Sequence, residues 1–362
     1  MKLDPSNLRP LFLLLVISVF GSQLFAQSEN NQSPIDGVSF RFIESNGITM
    51  RIAEMGNSGP LLLLAHGWPE SWYSWRHQIV SLANAGYRVV APDMRGFGES
   101  EAPPDVNDYD VIHTSADLVG ILDALGEETA VLVGHDWGAI IAWQAVLLHP
   151  ARFTALINMS VPYRGRPAQS PMERMRQSAG DNFQYIVYHN EPGGVAEAEY
   201  DADPRGLISK LYLAIAANSE IEPPKVTDPL RSAGGWIDRL GAPIRLPDWF
   251  TENDLNYVVS QFEKAGFRGG VNYYRNFHRN WEITEHLSDA KISIPTLFIA
   301  GEEDFVIGGA SREQLTATMG RVVADLRDVV LIPEAGHWVQ QEAPEEVSQA
   351  MLDFLNEVQL TP

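Results

Sequence analysis

Cysteine is absent from the 362 residues. That excludes disulfides, thiolate metal sites, thiol nucleophiles and lipid attachment at a cysteine. Basic residues are scarce beside acidic ones, 26 against 47, giving a formal charge of −21. Such a chain repels nucleic acid and anionic membranes and favours solubility, so neither is expected as a partner. Internal repeats and low-complexity tracts are also missing. With 45% hydrophobic residues the chain reads as globular, long enough for one large or two modest domains with a real core.

Long apolar runs are lacking too. The run Leu11 to Phe20 is too short to cross a bilayer. Lys2 and Arg9 precede it, and Gly21-Ser22 with a cut after Ala26 completes the layout of an export signal over residues 1–26. An exported, periplasmic or secreted protein is the expectation, with no stable membrane span once the signal is removed. Residues 27–36, rich in Asn, Gln and Ser, read as a disordered lead-in.

What is present is an alternation of strand and helix patterns. Val38–Ile43 and Ile48–Ile52 alternate with period two around Asn46-Gly47, a strong hairpin turn. Pro60–Ala65, Arg88–Ala91, Ala130–Val133, Ala155–Met159, Thr296–Ala300 and Val329–Ile332 read as further strands. Helical stretches fall between them, around Trp75–Ala83 and Ala116–Leu125. This alternation predicts a mainly parallel, eight-stranded sheet with helices on both faces. The core should comprise residues 37–160 and 284–362. The interruption at 161–283 has a helical texture, with Asp181–His189, Gly206–Ala217, Thr251–Ala265 and Val271–Asn280 as its pieces. Placed between two parallel strands, it should form a cap over their carboxyl ends, where ligands bind.

The most informative stretch is Gly134-His135-Asp136-Trp137-Gly138, between a strand and a helix. Strand, glycine-flanked turn and helix describe a nucleophile elbow, with aspartate where hydrolases of this kind carry serine. A carboxylate is already an anion at neutral pH and needs no base to attack an sp3 carbon. The competing reading is a helix N-cap, the usual role of an aspartate after a strand. His66-Gly67-Trp68-Pro69-Glu70 follows the third strand, where the amides of Trp68 and Trp137 would form an oxyanion hole. His337 follows the last strand in Glu334-Ala335-Gly336-His337-Trp338, the position of the hydrolytic base. Glu302, Glu303 and Asp304 offer three carboxylates after the preceding strand, any of which can orient it.

Residues from about 37 to 356 resemble the epoxide hydrolases of the α/β-hydrolase superfamily. The resemblance rests on HGWPE (66–70), GHDWG (134–138), EPGGVAEAEY (191–200), NYYRN (272–276), EEDFV (302–306) and AGHW (335–338). The EPG-x-AE-x-E signature recurs at 191–199 with one extra residue after EPG. The resemblance implies an α/β-hydrolase fold, Asp136 as nucleophile and His337 as base, with Asp304 as its acid. It also implies Tyr185 and Tyr274 as the cap phenols that hold an epoxide oxygen. Small apolar epoxides and water are then the expected reactants, with no cofactor and no metal. A dehalogenase using the same aspartate, or a non-catalytic ligand receptor on the same scaffold, are the alternatives.

Other features read as structural. Arg95 to Glu99 is no dinucleotide loop. His135 and His278 lack metal-ligand spacing, and His66 should bond its own loop. Asp117 and Asp123 read as solvated charges, and Tyr188, Tyr200 and Tyr273 as core. Gly234–Trp236 and Gly266–Gly270 read as cap turns, while Trp75, Trp236, Trp249 and Trp281 suggest an aromatic route or core.

Overall fold

The computed structural model describes residues 33–362, so the expected export signal and residues 27–32 of the lead-in lie outside it. Ser33 to Asp36, expected to be disordered, instead enter a turn in which Val38 N–H bonds the Ile35 carbonyl and Ile35 packs on the core.

The strands are β1 (Ser39–Ser45), β2 (Ile48–Met55), β3 (Leu61–Ala65), β4 (Arg88–Pro92), β5 (Ala130–His135), β6 (Phe153–Met159), β7 (Thr296–Gly301) and β8 (Leu326–Ile332). They form one 8-stranded sheet in the order β1-β2-β4-β3-β5-β6-β7-β8. β2 pairs antiparallel with β1 and β4, and the remaining neighbours run parallel. Every residue of β3, β5 and β7 is buried, which explains their unbroken apolar runs. Around the sheet lie α1 (Arg76–Asn84), α2 (Val111–Leu125) and α3 (Trp137–Leu148).

Between β6 and β7 the chain builds α4 (Pro171–Ala179), α5 (Tyr185–His189), α6 (Val195–Ala202), α7 (Pro204–Ala214), α8 (Glu252–Ala265), α9 (Arg268–Arg275) and α10 (Phe277–Ile283). After β7 come α11 (Arg312–Met319), α12 (Val339–Glu342) and α13 (Pro344–Glu357). Helix α8 starts where its sequence says: Thr251 and Asp254 cap each other's backbone N–H groups.

Three cap expectations need correction. The helix expected over 181–189 begins only at Tyr185, because Asn182 bridges Leu230 and Phe183 N–H bonds the Pro229 carbonyl. The single helix expected over 271–280 is two, divided at Asn276. Gly269 and Gly270 are not turn residues but lie inside α9. A side chain on Gly269 would strike the Gly96 backbone, and one on Gly270 the Trp68 indole, so small residues let α9 lie directly over the site.

Asp117 also departs from its expected solvated role. It is buried, and the Arg95 guanidinium reaches it with Nε 2.7 Å from Oδ2. Asp123 is exposed and meets Arg152, in keeping with a surface charge.

Candidate active site

The end of β5 turns sharply into α3 through Asp136, whose φ of +50° and ψ of −117° lie outside the regions comfortable for a side-chain-bearing residue. Its side chain makes no cap bond to α3, which disposes of the N-cap reading. Gly138 passes so close to the Ala65 carbonyl that a Cβ there would collide with it. The corner is therefore held by packing of β5 and α3 against β3.

The two oxygens of the Asp136 carboxylate have different surroundings. Oδ1 accepts the backbone N–H of Trp68 at 2.8 Å. Oδ2 lies 3.7 Å from His337 Nε2. Trp137 opens α3, so its amide has no intrahelical acceptor. The Trp68–Pro69 peptide bond is cis, an isomer that is cheap only before proline.

Of the three carboxylates after β7, Asp304 is the one that meets the histidine: its Oδ1 lies 3.1 Å from His337 Nδ1. Both groups are buried. Burial alone would disfavour an imidazolium, but Asp304 on one side and Asp136 on the other outweigh it and push the His337 pKa up to about 10. Burial likewise works against the Asp304 anion, and the facing histidine more than compensates, holding its pKa below the ordinary value.

Tyr185 and Tyr274 come from α5 and α9 and converge with ring centroids 6.0 Å apart. Together with Asp136 and His337 they line one cavity of about 170 Å³. Trp68, Leu211, Ile215, Trp236, Leu240 and Phe305 complete its wall, with Phe305 half exposed to solvent. Burial and then the Asp136 charge push the Tyr185 hydroxyl pKa up. The same causes act on Tyr274, opposed by the Trp137 indole. Both phenols therefore keep their protons throughout the neutral range and can donate. Of the tryptophans singled out above, Trp236 lines this cavity, Trp75 is core, and Trp281 lines a separate cavity beside Tyr163 and Phe277.

The cap motifs place the phenols. In the EPG segment the extra glycine, Gly194, takes a left-handed φ of +74° at the N-terminus of α6 and leaves the helix intact. Glu197 of that helix pairs with Arg275 of NYYRN at 2.6 Å, and Arg275 Nε donates to the His189 carbonyl at 3.0 Å, which ties the helix of Tyr185 to the residue after Tyr274. Glu199 accepts the N–H groups of Trp236 and Ile237 and the Tyr188 hydroxyl.

Sequence reasoning passed over four residues here. Glu70 accepts the Gly67 N–H at 2.8 Å and lies 2.8 Å from His135 Nδ1, while His135 Nε2 lies 2.8 Å from the His337 carbonyl. The pair thus links the loop of Gly67 and Trp68 to the loop of His337. Glu70 was visible as the last letter of HGWPE, and His135 as the second of GHDWG. His189 is fully buried between Tyr274, Tyr185, Trp68 and Trp236, with ring centroids at 4.4, 5.7, 5.0 and 5.5 Å. Its spacing of four from Tyr185 on a helix was the available signal. Glu342 is the fourth. Nothing in the sequence separates it from an ordinary charge at a helix end. His66 bonds its own loop as expected, with Nδ1 2.8 Å from the Gly67 carbonyl.

A sheet of this order, with an aspartate on a strand-to-helix corner and a histidine and acid at the ends of its last strands, defines the α/β-hydrolase class. The family model described as alpha/beta hydrolase fold matches residues 60–193. The chain is 43% identical over 322 residues to epoxide hydrolase A of Mycobacterium tuberculosis, covering 88% of this chain and 98% of that protein. It is 41% identical to epoxide hydrolase 1 of Siraitia grosvenorii, covering 87% and 97%. The crystal structure of epoxide hydrolase A from Mycobacterium thermoresistibile superposes with a TM-score of 0.81 at 46% identity, covering 88% of this chain and 98% of that one. The chain belongs to the epoxide hydrolases.

Proposed function

We propose that this epoxide hydrolase works through a covalent ester on Asp136, with small apolar epoxides as substrates. Tyr185 and Tyr274 hydrogen-bond the epoxide oxygen, and Asp136 Oδ2 attacks a ring carbon from the opposite side. The carbon–oxygen bond of the ring breaks, and a phenol proton goes to the departing oxygen, giving a 2-hydroxyalkyl ester. That proton matters because a bare alkoxide is a poor leaving group. His337, oriented by Asp304, then removes a proton from water, which adds to the ester carbonyl. The oxyanion forms at Oδ1, where the Trp68 and Trp137 amides stabilise it by about 3 kcal/mol each. Collapse expels the second diol oxygen, which takes the proton held by His337, and the other water proton returns to the phenolate, so that a vicinal diol leaves and carboxylate, imidazole and phenol are all restored.

The observation that carries this reading is the asymmetry of the Asp136 carboxylate. Oδ1 is held by a backbone N–H, and Oδ2 faces the histidine. An oxygen fixed in a donor site is suited to become a carbonyl, and its partner to form the new bond. The same arrangement times the base. Before attack, Asp136 helps hold a proton on His337. Once Asp136 is esterified that charge is gone, and the imidazole sheds the proton when a base is needed.

A single turnover in heavy-oxygen water tests the route. Label should enter Asp136 and be absent from the diol; label in the diol alone overturns it. A dehalogenase would use the same nucleophile, but two phenols lining the cavity suit an oxygen leaving group, and the relatives are epoxide hydrolases. Halide release from short bromoalkanes without diol formation from styrene oxide would reverse that assignment. Residues 1–26 support export, and an N-terminus at Gln27 in secreted material tests it.

A further inference from the structure

His337 sits in a loop whose backbone is gripped by a carboxylate outside the charge relay. Glu342 Oε2 accepts the Gly336 N–H at 2.9 Å, and Oε1 accepts the Trp338 N–H at 2.9 Å. These are the residues immediately before and after the base. The same Oε2 accepts a third N–H at 2.9 Å, from Ala217, just beyond α7 in the cap. The His337 N–H itself bonds the Ile215 carbonyl at 3.1 Å, and Ile215 lines the reaction cavity. Gly336 lies against the backbone of residues 215–217 so closely that a Cβ would collide with it.

The neighbouring contacts fasten the same cap segment. Trp338 Nε1–H donates to the Tyr212 carbonyl at 2.8 Å, the two rings stack at 4.3 Å, and the Tyr212 hydroxyl donates to the Pro69 carbonyl at 3.2 Å. The backbone around His337 is thus fixed from outside the sheet, by a cap segment and one carboxylate.

We propose that Glu342 is a positioning residue for His337: by holding the amides on both sides of it, Glu342 sets the imidazole at the ester carbonyl and ties that placement to the cap wall at Ile215. Glu342 touches neither substrate nor the reacting atoms, and it acts through the base loop. The inference rests on the covalent reading above. It predicts an effect confined to the second half-reaction, because epoxide attack uses Asp136 and the phenols, whereas only ester hydrolysis uses His337 as base. Misplacing a reacting group by about 1 Å can cost up to 100-fold in rate.

The test is Glu342→Gln, whose amide nitrogen cannot accept the Trp338 N–H. Single turnovers of styrene oxide, quenched and read by mass spectrometry of the peptide bearing Asp136, give ester formation and ester decay separately. Glu342→Gln should slow decay by about 10- to 100-fold and leave formation within about 3-fold, so that ester accumulates. Glu342→Asp, which keeps the charge and shortens the reach, should show the same split at smaller size; it also carries the test if the glutamine variant does not fold. Decay at the wild-type rate, or equal slowing of both steps, overturns the proposal. Absence of ester even in His337→Gln, which should trap it, overturns the covalent reading and the proposal with it.

Discussion

His337 Nε2 lies 3.7 Å from Asp136 Oδ2, close enough for strong charge attraction and too far for a hydrogen bond. The proposed nucleophile and the proposed base are therefore an electrostatic pair before any chemistry. Asp136→Asn removes the anion and keeps the shape. The His337 pKa, pushed up to about 10 in the intact site, should fall in that variant by about one to three pH units. An NMR titration of the imidazole reads this directly, and an unchanged value would contradict the coupling. The sign for stability follows. A histidine raised from 6.5 to about 10 stabilises the fold fully below pH 6.5, and that contribution is lost as pH rises through about 10. Asp136→Asn should lose it at lower pH.

Tyr185→Phe and Tyr274→Phe keep the rings and remove the donors. Each should slow ester formation, by roughly 100-fold or more, because the departing oxygen loses its proton source. Ester decay should be unchanged, since neither phenol serves the water step. Rapid-mixing experiments with styrene oxide separate the two rates, and equal slowing of both would argue against donor roles.

Asp117→Ala strands the Arg95 guanidinium, which is buried. The expected cost is about 3–5 kcal/mol in urea denaturation, with activity per folded molecule retained. Asp123→Ala, at the exposed end of the same helix, should cost less than about 1 kcal/mol.

His189 and Tyr200 form a buried polar pair, Nε2 to Oη 3.0 Å, and His189 Nδ1 has no partner among the described residues. His189→Phe alone leaves the Tyr200 hydroxyl unpaired and should cost about 1–3 kcal/mol. Adding Tyr200→Phe should recover most of that loss. Burial, with Arg275 adding to it, pushes the His189 pKa down to about 3 from 6.5. The unfolded chain therefore takes up a proton first, and stability is lost as pH falls from about 6.5 towards 3. The double variant should lack this component of acid sensitivity in thermal melts from pH 7 to 4.

Local signals carried much of the site. The strand runs and the glycine-bounded corner identify β5, α3 and Asp136, because a fully buried parallel strand leaves an unbroken apolar record. His337 followed from its place after the last strand, and Thr251 with Asp254 marked a helix start. What local pattern does not encode is pairing across long separations. Asp117 looks solvated on its own helix, and only the fold brings Arg95 to it. Glu302, Glu303 and Asp304 are alike in composition, and the sheet decides which one faces the histidine. The break at Asn276 and the bridge at Asn182 arise from cap packing that helical periodicity does not register. Gly269 and Gly270 read as turn residues because glycine's other use, admitting a neighbouring ring or backbone, becomes visible only once that neighbour is in place.

The grip of residues 212–217 on the loop of His337 bears on engineering by domain exchange. A cap transplanted from a relative to alter the reaction cavity would bring a foreign Ile215–Ala217 segment to a native Gly336–Glu342 loop. The seam would fall beside His337, at the proposed ester-hydrolysis step. Chimeras should therefore move both stretches as one piece, although more than a hundred positions separate them along the chain.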